Sequence, residues 1–183
     1  MMNYFDFPGF MSAIRGNHIS QIKEFIHAGL DVNQHGQSEI DTPLRAAIEG
    51  ENIDSVRLLL EAGAIPSGFL MLVIRDLLDK KYNYQAPVHI LQITQLLSFA
   101  GIDLDFRLDT DKTLLMEAAL NNALSVVEIL IQEGANIDLV SRRGHYALMC
   151  AVQSNAKETI DFLAPLTCKR LRERTDCGRR RSC

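Results

Sequence analysis

Apolar side chains recur along most of this chain at the spacing of an amphipathic helix. In one segment, Val126, Val127, Leu130 and Ile131 stand at positions i, i+1, i+4 and i+5, which places two adjacent apolar rows on one side of a helix. Gly134 follows, and glycine readily adopts the positive φ at which many helices end. The pattern predicts short helices that each bury one side against a neighbour.

The same pattern returns at a nearly constant period. Residues 42–64 and 113–135 begin 71 residues apart and share Thr, Leu, Ala, Val, Leu, Gly and Ala at the same offsets. Residues 17–33 and 146–163 are further partial copies. Loop glycines stand at Gly29, Gly63, Gly101 and Gly134, at intervals of 34, 38 and 33 residues. This period predicts stacked helix pairs, and the one long interval predicts an insertion inside a repeat.

Three short motifs give the repeat a family resemblance. T-P-L at 42–44, D-V-N at 31–33 and N-I-D at 136–138 resemble parts of the ankyrin repeat, over roughly residues 7–165. The resemblance implies an all-α solenoid of about five helix-turn-helix units, with finger loops set across the helices and a concave face. It departs from the family pattern in one respect, because the histidine after T-P-L is replaced by Arg45, Met116 and Met149.

The third unit is the least regular. Residues 68–78 would form its first helix and residues 88–99 its second, with the polar segment 79–87 inserted between them. Either the first helix is longer than usual or the preceding finger is shorter. Both arrangements stay open at the level of sequence.

The charge is divided unevenly along the chain, whose formal net charge is −4. Residues 1–168 hold 12 Lys and Arg against 21 Asp and Glu, whereas residues 169–183 hold 7 against 2. We therefore expect a repeat domain over 1–168, too acidic to bind nucleic acid, and a basic, disordered tail over 169–183. The tail could instead contact nucleic acid or an anionic membrane, but a solvated chain end is the favoured interpretation.

The cysteines and the apolar runs indicate the compartment. None of the four cysteines forms a C-x-x-C pair, and Cys150 lies in an apolar helical pattern that predicts a buried thiol. The beginning of the chain lacks a basic leader, and the longest apolar run, residues 69–74, is too short to span a bilayer. We expect a soluble, monomeric, intracellular protein, most simply a cytoplasmic one.

No combination of residues indicates catalysis or ligand chemistry. Asp103, Asp105, Asp109 and Asp111 suggest a calcium loop, but the central glycine and final glutamate of an EF-hand are missing. The five histidines are scattered, and no nucleophile elbow, Walker loop or dinucleotide-binding motif occurs. We therefore expect no enzyme activity, no cofactor and no metal site.

The resemblance also implies where a partner protein would bind. It places partner contacts on the finger tips and on the exposed end of each first helix. These positions are Ser38, Glu39, Asp41, Glu49, Asp109, Thr110, Lys112, Leu120, Asn121, Arg142, Arg143, His145, Gln153 and Ser154. The predicted function is thus a non-enzymatic module that binds another protein through its concave surface. The alternatives are a regulatory or scaffold subunit of a larger assembly and an adaptor that acts through its basic tail.

Overall fold

The computed structural model describes residues 6–36, 38, 40–80 and 86–168, without the side chain of Lys80. Ten helices account for most of this part of the chain: α1 (Phe7–Arg15), α2 (Ile19–His27), α3 (Pro43–Glu49), α4 (Ile53–Glu61), α5 (Leu70–Lys80), α6 (Val88–Phe99), α7 (Leu114–Leu120), α8 (Leu124–Gln132), α9 (Ala147–Gln153) and α10 (Lys157–Leu166). No strand occurs in the described ranges, and none of their helices is long and apolar enough to cross a membrane. The prediction of an all-α repeat fold is confirmed.

Threonine hydroxyls begin two of the first helices. The side chain of Thr42 accepts the N–H of Arg45 at 3.2 Å, and that of Thr113 accepts the N–H of Met116 at 3.4 Å. Each bond satisfies a backbone donor that the helix itself leaves unpaired, and such a cap typically stabilises a protein by about 1 kcal/mol. Pro43 occupies the first position of α3, where its missing backbone N–H costs no hydrogen bond of the helix.

Left-handed residues end the helices at regular intervals. The loop glycines that follow α2, α4, α6 and α8 have φ between 82° and 98°; they are Gly29, Gly63, Gly101 and Gly134. No atom lies within 4 Å of a Cβ built on any of them. The positive φ, rather than lack of space, therefore favours glycine there. The prediction for Gly134 is confirmed.

The described residues divide into two compact units. In the first unit, residues 6–77 and 88–102, helix α1 packs on α2 and α3, while α4 packs on α2, α3 and α6. The rings of Phe10 and Phe25 lie 5.6 Å apart in its core, and Ile14 and Ile22 of the same two helices are fully buried. Burying one large aliphatic or aromatic side chain contributes about 1.5–3 kcal/mol to folding.

The irregular part of the repeat includes α5 and α6. Their bounds match the predicted helices 68–78 and 88–99 closely, and Met71, Ile74 and Leu97 are fully buried. The predicted insertion 79–87 lies partly outside the described residues, since the structure describes nothing of 81–85. The number of repeat units and the insertion in the third stay predictions.

The second unit comprises residues 103–168 together with 78–80 and 86–87. In it α7 packs on α8 and α9, and α10 packs on α8 and α9. Alanines such as Ala118, Ala119 and Ala151 are fully buried there, and their small side chains allow close helix contact. Of the apolar stripe predicted on α8, Val126, Val127 and Leu130 are buried. The predicted tail, residues 169–183, lies outside the described residues, so the boundary at 168 stays a prediction.

Candidate protein-binding surface

Short loops closed by backbone hydrogen bonds precede three of the first helices, and we call them the α3 finger (36–41), the α7 finger (108–112) and the α9 finger (141–145). The N–H of Gly36 donates to Asp41 O at 2.9 Å, and the N–H of Leu108 donates to Lys112 O at 2.9 Å. The N–H of Ser141 donates to His145 O at 2.7 Å. The α7 and α9 fingers, which the structure describes in full, are therefore closed loops from which side chains can project.

In the first unit the predicted contact residues are only partly free of internal contacts. Ser38 is exposed, and Asp41 is half-buried with its carboxylate 3.9 Å from Arg15. Glu49 is exposed at the end of α3 and accepts a hydrogen bond from Arg45 at 2.7 Å. Glu39 lies outside the described residues.

Two predicted contact residues of the α7 finger contact the buried carboxylate of Glu117. The hydroxyl of Thr110 donates to the carboxylate of Glu117 at 2.7 Å, and the ammonium of Lys112 lies 3.6 Å from the same carboxylate. The Lys112 side chain is only 16% exposed, so it supports the base of the finger. Thr110 and Asp109 are both exposed.

Glu117 was not identified from the sequence as a functional residue. It is 7% exposed, and a buried carboxylate is costly unless it has partners, which Thr110 and Lys112 supply here. The sequence does carry a signal that could have identified it, since Glu117 is the one acidic residue in the otherwise apolar helix L-L-M-E-A-A-L. A charge at such a position indicates an internal ion pair more often than a solvated side chain.

Asp111 joins the α7 and α9 fingers. Its backbone is left-handed, with φ of 63°, and its carboxylate accepts the N–H of Arg142 at 2.7 Å. The same carboxylate lies 3.7 Å from the guanidinium groups of both Arg107 and Arg142. Arg107 also donates to Asp111 O at 3.2 Å and to Val140 O at 3.0 Å. Together these contacts fix the two fingers to each other.

The α9 finger presents two arginines at its tip. The N–H of Gly144 donates to Ser141 O at 2.9 Å, which closes a turn with Arg142 and Arg143 at its two central positions. The Arg142 side chain is 89% exposed, and Arg143 is exposed as well. His145 is half-buried, and its backbone N–H donates to Ser141 Oγ at 3.0 Å.

The remaining predicted positions lie at the ends of α7 and α9. Leu120 is half-buried, and the Asn121 amide donates back to Glu117 O at 2.9 Å. Gln153 and Ser154 are exposed, although the Ser154 hydroxyl also lies 3.2 Å from Ala151 O, within hydrogen-bonding distance. A partner-binding role for the residues named from the sequence stays a prediction.

Of the four acidic residues suggested above as a calcium loop, three accept backbone N–H groups; they are Asp103, Asp105 and Asp111. Asp103 accepts the N–H of Asp105 at 3.0 Å, and Asp105 accepts the N–H of Asn136 at 2.8 Å. Asp138 repeats the second contact one repeat later, by accepting the N–H of Cys168 at 3.0 Å. Over the described ranges, no group of three or more His, Cys, Asp or Glu is placed to hold a metal ion. Asp105 and Asp138 thus link successive loops, whereas Asp103 holds the turn within its own loop.

Cys150 is a buried thiol on α9, as predicted. Burial raises its pKa from 9.0 to about 11; the positive charge of Lys112 opposes this rise and the negative charge of Glu117 adds to it. A nucleophilic cysteine needs the opposite shift, toward the thiolate at neutral pH. The environment of Cys150 is that of a structural core residue.

Comparison with known proteins agrees with the repeat pattern. The sequence profile for Ankyrin repeats (3 copies) matches residues 84–172. The human transient receptor potential cation channel subfamily A member 1 is 26% identical over 130 residues, which cover 67% of this chain and 11% of the channel.

Two nematode proteins are also similar. An ankyrin repeat and KH domain-containing protein of Caenorhabditis briggsae is 24% identical over 153 residues, which cover 71% of this chain and 6% of that protein. The BRCA1-associated RING domain protein 1 of Caenorhabditis elegans is 36% identical over 55 residues, covering 30% of this chain and 8% of its own length. The chain thus spans only a small part of each of these relatives.

Proposed function

Since the chain belongs to the ankyrin-repeat family, whose repeats are generally protein–protein interaction modules, we propose that it binds a partner protein through its fingers and the adjoining ends of its first helices. We propose no catalytic role for it. The observation that carries the proposal is the linked pair of fingers in the second unit. Asp111 fixes their backbones while the Arg142 side chain stays 89% exposed.

A fixed backbone with exposed side chains favours binding. Association costs conformational entropy for every loop that must become ordered, and a loop that is already held avoids that cost. Arginine suits such a position, because its planar guanidinium offers several donors in a rigid arrangement and it is enriched among residues that dominate binding energy. The α9 finger combines both properties.

The test begins with purification of the full chain and identification of its partner by cross-linking from native lysate. We then expect the Arg142→Ala, Arg143→Ala, His145→Ala variant to bind that partner about tenfold or more weakly, as loss of an arginine anchor commonly does. Its melting temperature should change little, because the two arginine side chains lie on the surface. Calorimetric titration and thermal unfolding measure the two quantities.

A matched control removes two positive charges elsewhere. Lys23 and Arg57 are exposed on α2 and α4, and their joint replacement by alanine should leave the affinity unchanged. Unchanged affinity of the triple variant would remove the α9 finger from the binding surface. Weaker binding together with a collapsed melting temperature would show that these side chains support the fold.

We also propose that the protein acts inside the cell. Both cysteines in the described ranges, Cys150 and Cys168, are free thiols, and free thiols persist in reducing compartments. Fluorescent tagging of the full chain in cells tests this, and a secreted product would contradict it.

A further inference from the structure

The charge balance around the linked fingers is opposite to that of the rest of the repeat domain. Residues 1–168 carry 21 acidic against 12 basic side chains. Residues 107–112 and 141–145, with Glu117 beneath them, carry Arg107, Lys112, Arg142 and Arg143 against Asp109, Asp111 and Glu117. This small surface has a net positive charge within an acidic domain.

The positive charge that can still contact a partner lies at the tip of the α9 finger. Lys112 and Glu117 are paired at 3.6 Å and nearly buried, so they neutralise each other. Asp111 is shared by two guanidinium groups, and Arg107 already donates to the backbone oxygens of Asp111 and Val140. Arg107 is exposed too, but Arg142 and Arg143 are the exposed cations of these fingers whose guanidinium groups donate no hydrogen bond to a backbone oxygen in the described ranges.

Neither arginine is neutralised inside the protein. Arg142 lies 3.7 Å from Asp111, but this contact is at the surface, where an ion pair contributes little. In the described part of the chain Arg143 forms no ion pair, and the turn places it directly beside Arg142. Two adjacent guanidinium groups on a fixed turn can each donate two parallel hydrogen bonds to an oxyanion.

We propose that the partner contacts this tip with an acidic segment, whose Asp or Glu carboxylates pair with Arg142 and Arg143. This proposal rests on the proposed function and adds the chemistry of the partner. A nucleic acid or an anionic membrane fits less well, because either would extend beyond the tip over the rest of the second unit, whereas a short acidic segment can end at the turn. Outside residues 107–112, 141–145 and Glu117, residues 103–168 hold seven acidic side chains against one basic one.

The test is selection of peptides by the full chain from a random displayed library. The library is first depleted on the Arg142→Ala, Arg143→Ala variant, so that the retained peptides depend on the tip. We expect these peptides to be enriched in Asp and Glu over the starting library. A synthetic peptide of the selected sequence should bind the double variant about tenfold or more weakly than the wild type, and the Lys23→Ala, Arg57→Ala control like the wild type.

Salt and amide substitution check the chemistry directly. Affinity for the synthetic peptide should fall with rising salt, and replacing its Asp and Glu by Asn and Gln should abolish binding. Tip-dependent peptides without acidic enrichment would overturn the proposal and leave the α9 finger as a binding surface. A synthetic peptide that binds the double variant as tightly as it binds the wild type would overturn the proposal and show that the peptide binds outside the tip. A selection that yields no tip-dependent peptide would overturn the acidic partner alone, because titration of the native partner tests the proposed function separately. An oligonucleotide that outcompetes the peptides at the tip would contradict both the acidic partner and the proposed function.

Discussion

At the scale of single residues, Asp111 has the most consequences for the proposed binding surface. Its backbone is left-handed, with φ of 63°, a conformation that aspartate and asparagine adopt more readily than most residues other than glycine, and its carboxylate accepts the N–H of Arg142. From the sequence, Asp111 was identified only as one member of a cluster of acidic residues. Nothing in the linear pattern shows that a carboxylate on one finger will meet a backbone donor 31 residues later.

Substitutions at Asp111 separate backbone conformation from the link between the fingers. Asp111→Asn keeps an acceptor and tolerates the left-handed conformation, so we expect a loss below about 1 kcal/mol. Asp111→Gly keeps the conformation and loses the link, whereas Asp111→Ala loses both and should cost about 1–2 kcal/mol more than Asn. Urea unfolding measures each value. An alanine variant as stable as the asparagine variant would show that neither feature matters to the fold.

Cys150 carries a pH dependence that can be isolated by substitution. Its pKa is raised from 9.0 to about 11 by burial, so the unfolded chain loses the thiol proton at lower pH than the folded protein does. The free energy of unfolding therefore falls as the pH rises from 9 to 11 and is unaffected by this group below 9. We expect the stability difference between wild type and Cys150→Ala to decrease by up to about 2 kcal/mol across that window. A constant difference in denaturant titrations would contradict this.

At the scale of helices, sequence and structure agree closely because short-range physics sets the bounds. Threonine caps, loop glycines and the apolar rows of α8 determine where a helix begins, ends and is buried through residues close together in the chain. Such local signals can be recognised in the sequence. The burial of the Lys112 side chain could not be predicted from the sequence, because it depends on an ion pair with Glu117 in the following helix. Side chains on fingers thus divide into supporting and exposed ones only when the fold is known.

Contact between α7 and α9 should be sensitive to side-chain size. Ala119 is fully buried on α7, and its carbonyl oxygen lies 3.5 Å from the hydroxyl of Ser154, just after α9. We expect Ala119→Val to destabilise the protein by about 1–3 kcal/mol, since the added methyl groups have no space. Ser125→Val, which adds the same side chain at an exposed position of α8, should change stability by about 0.5 kcal/mol or less. Equal effects in chemical denaturation would show that α7 and α9 can move apart cheaply.

At the scale of the whole molecule, the sequence predicts class and period better than it predicts function. The repeat spacing indicated an all-α fold with helix pairs near their observed positions, because each pair must bury the same apolar rows. The binding residues were transferred from the family pattern, and such a pattern specifies positions without specifying which side chains remain free. Thr110 and Lys112 illustrate this, since both occupy finger positions and both contact the buried carboxylate of Glu117.

Because Cys150 is fully buried, the rate at which its thiol sulfur is labelled reports how often α9 opens locally. A thiol reagent can reach that atom only during moments when the helix lifts from its neighbours, so the labelling rate counts those excursions. Divided by the rate for an unfolded peptide, it gives the free energy of that local opening without any added denaturant. Cys168, which is exposed, records the reagent's activity in the same sample. Cys150 and Cys168 therefore serve as the probe and the reference for measuring the local opening of α9, the helix that follows the proposed binding tip.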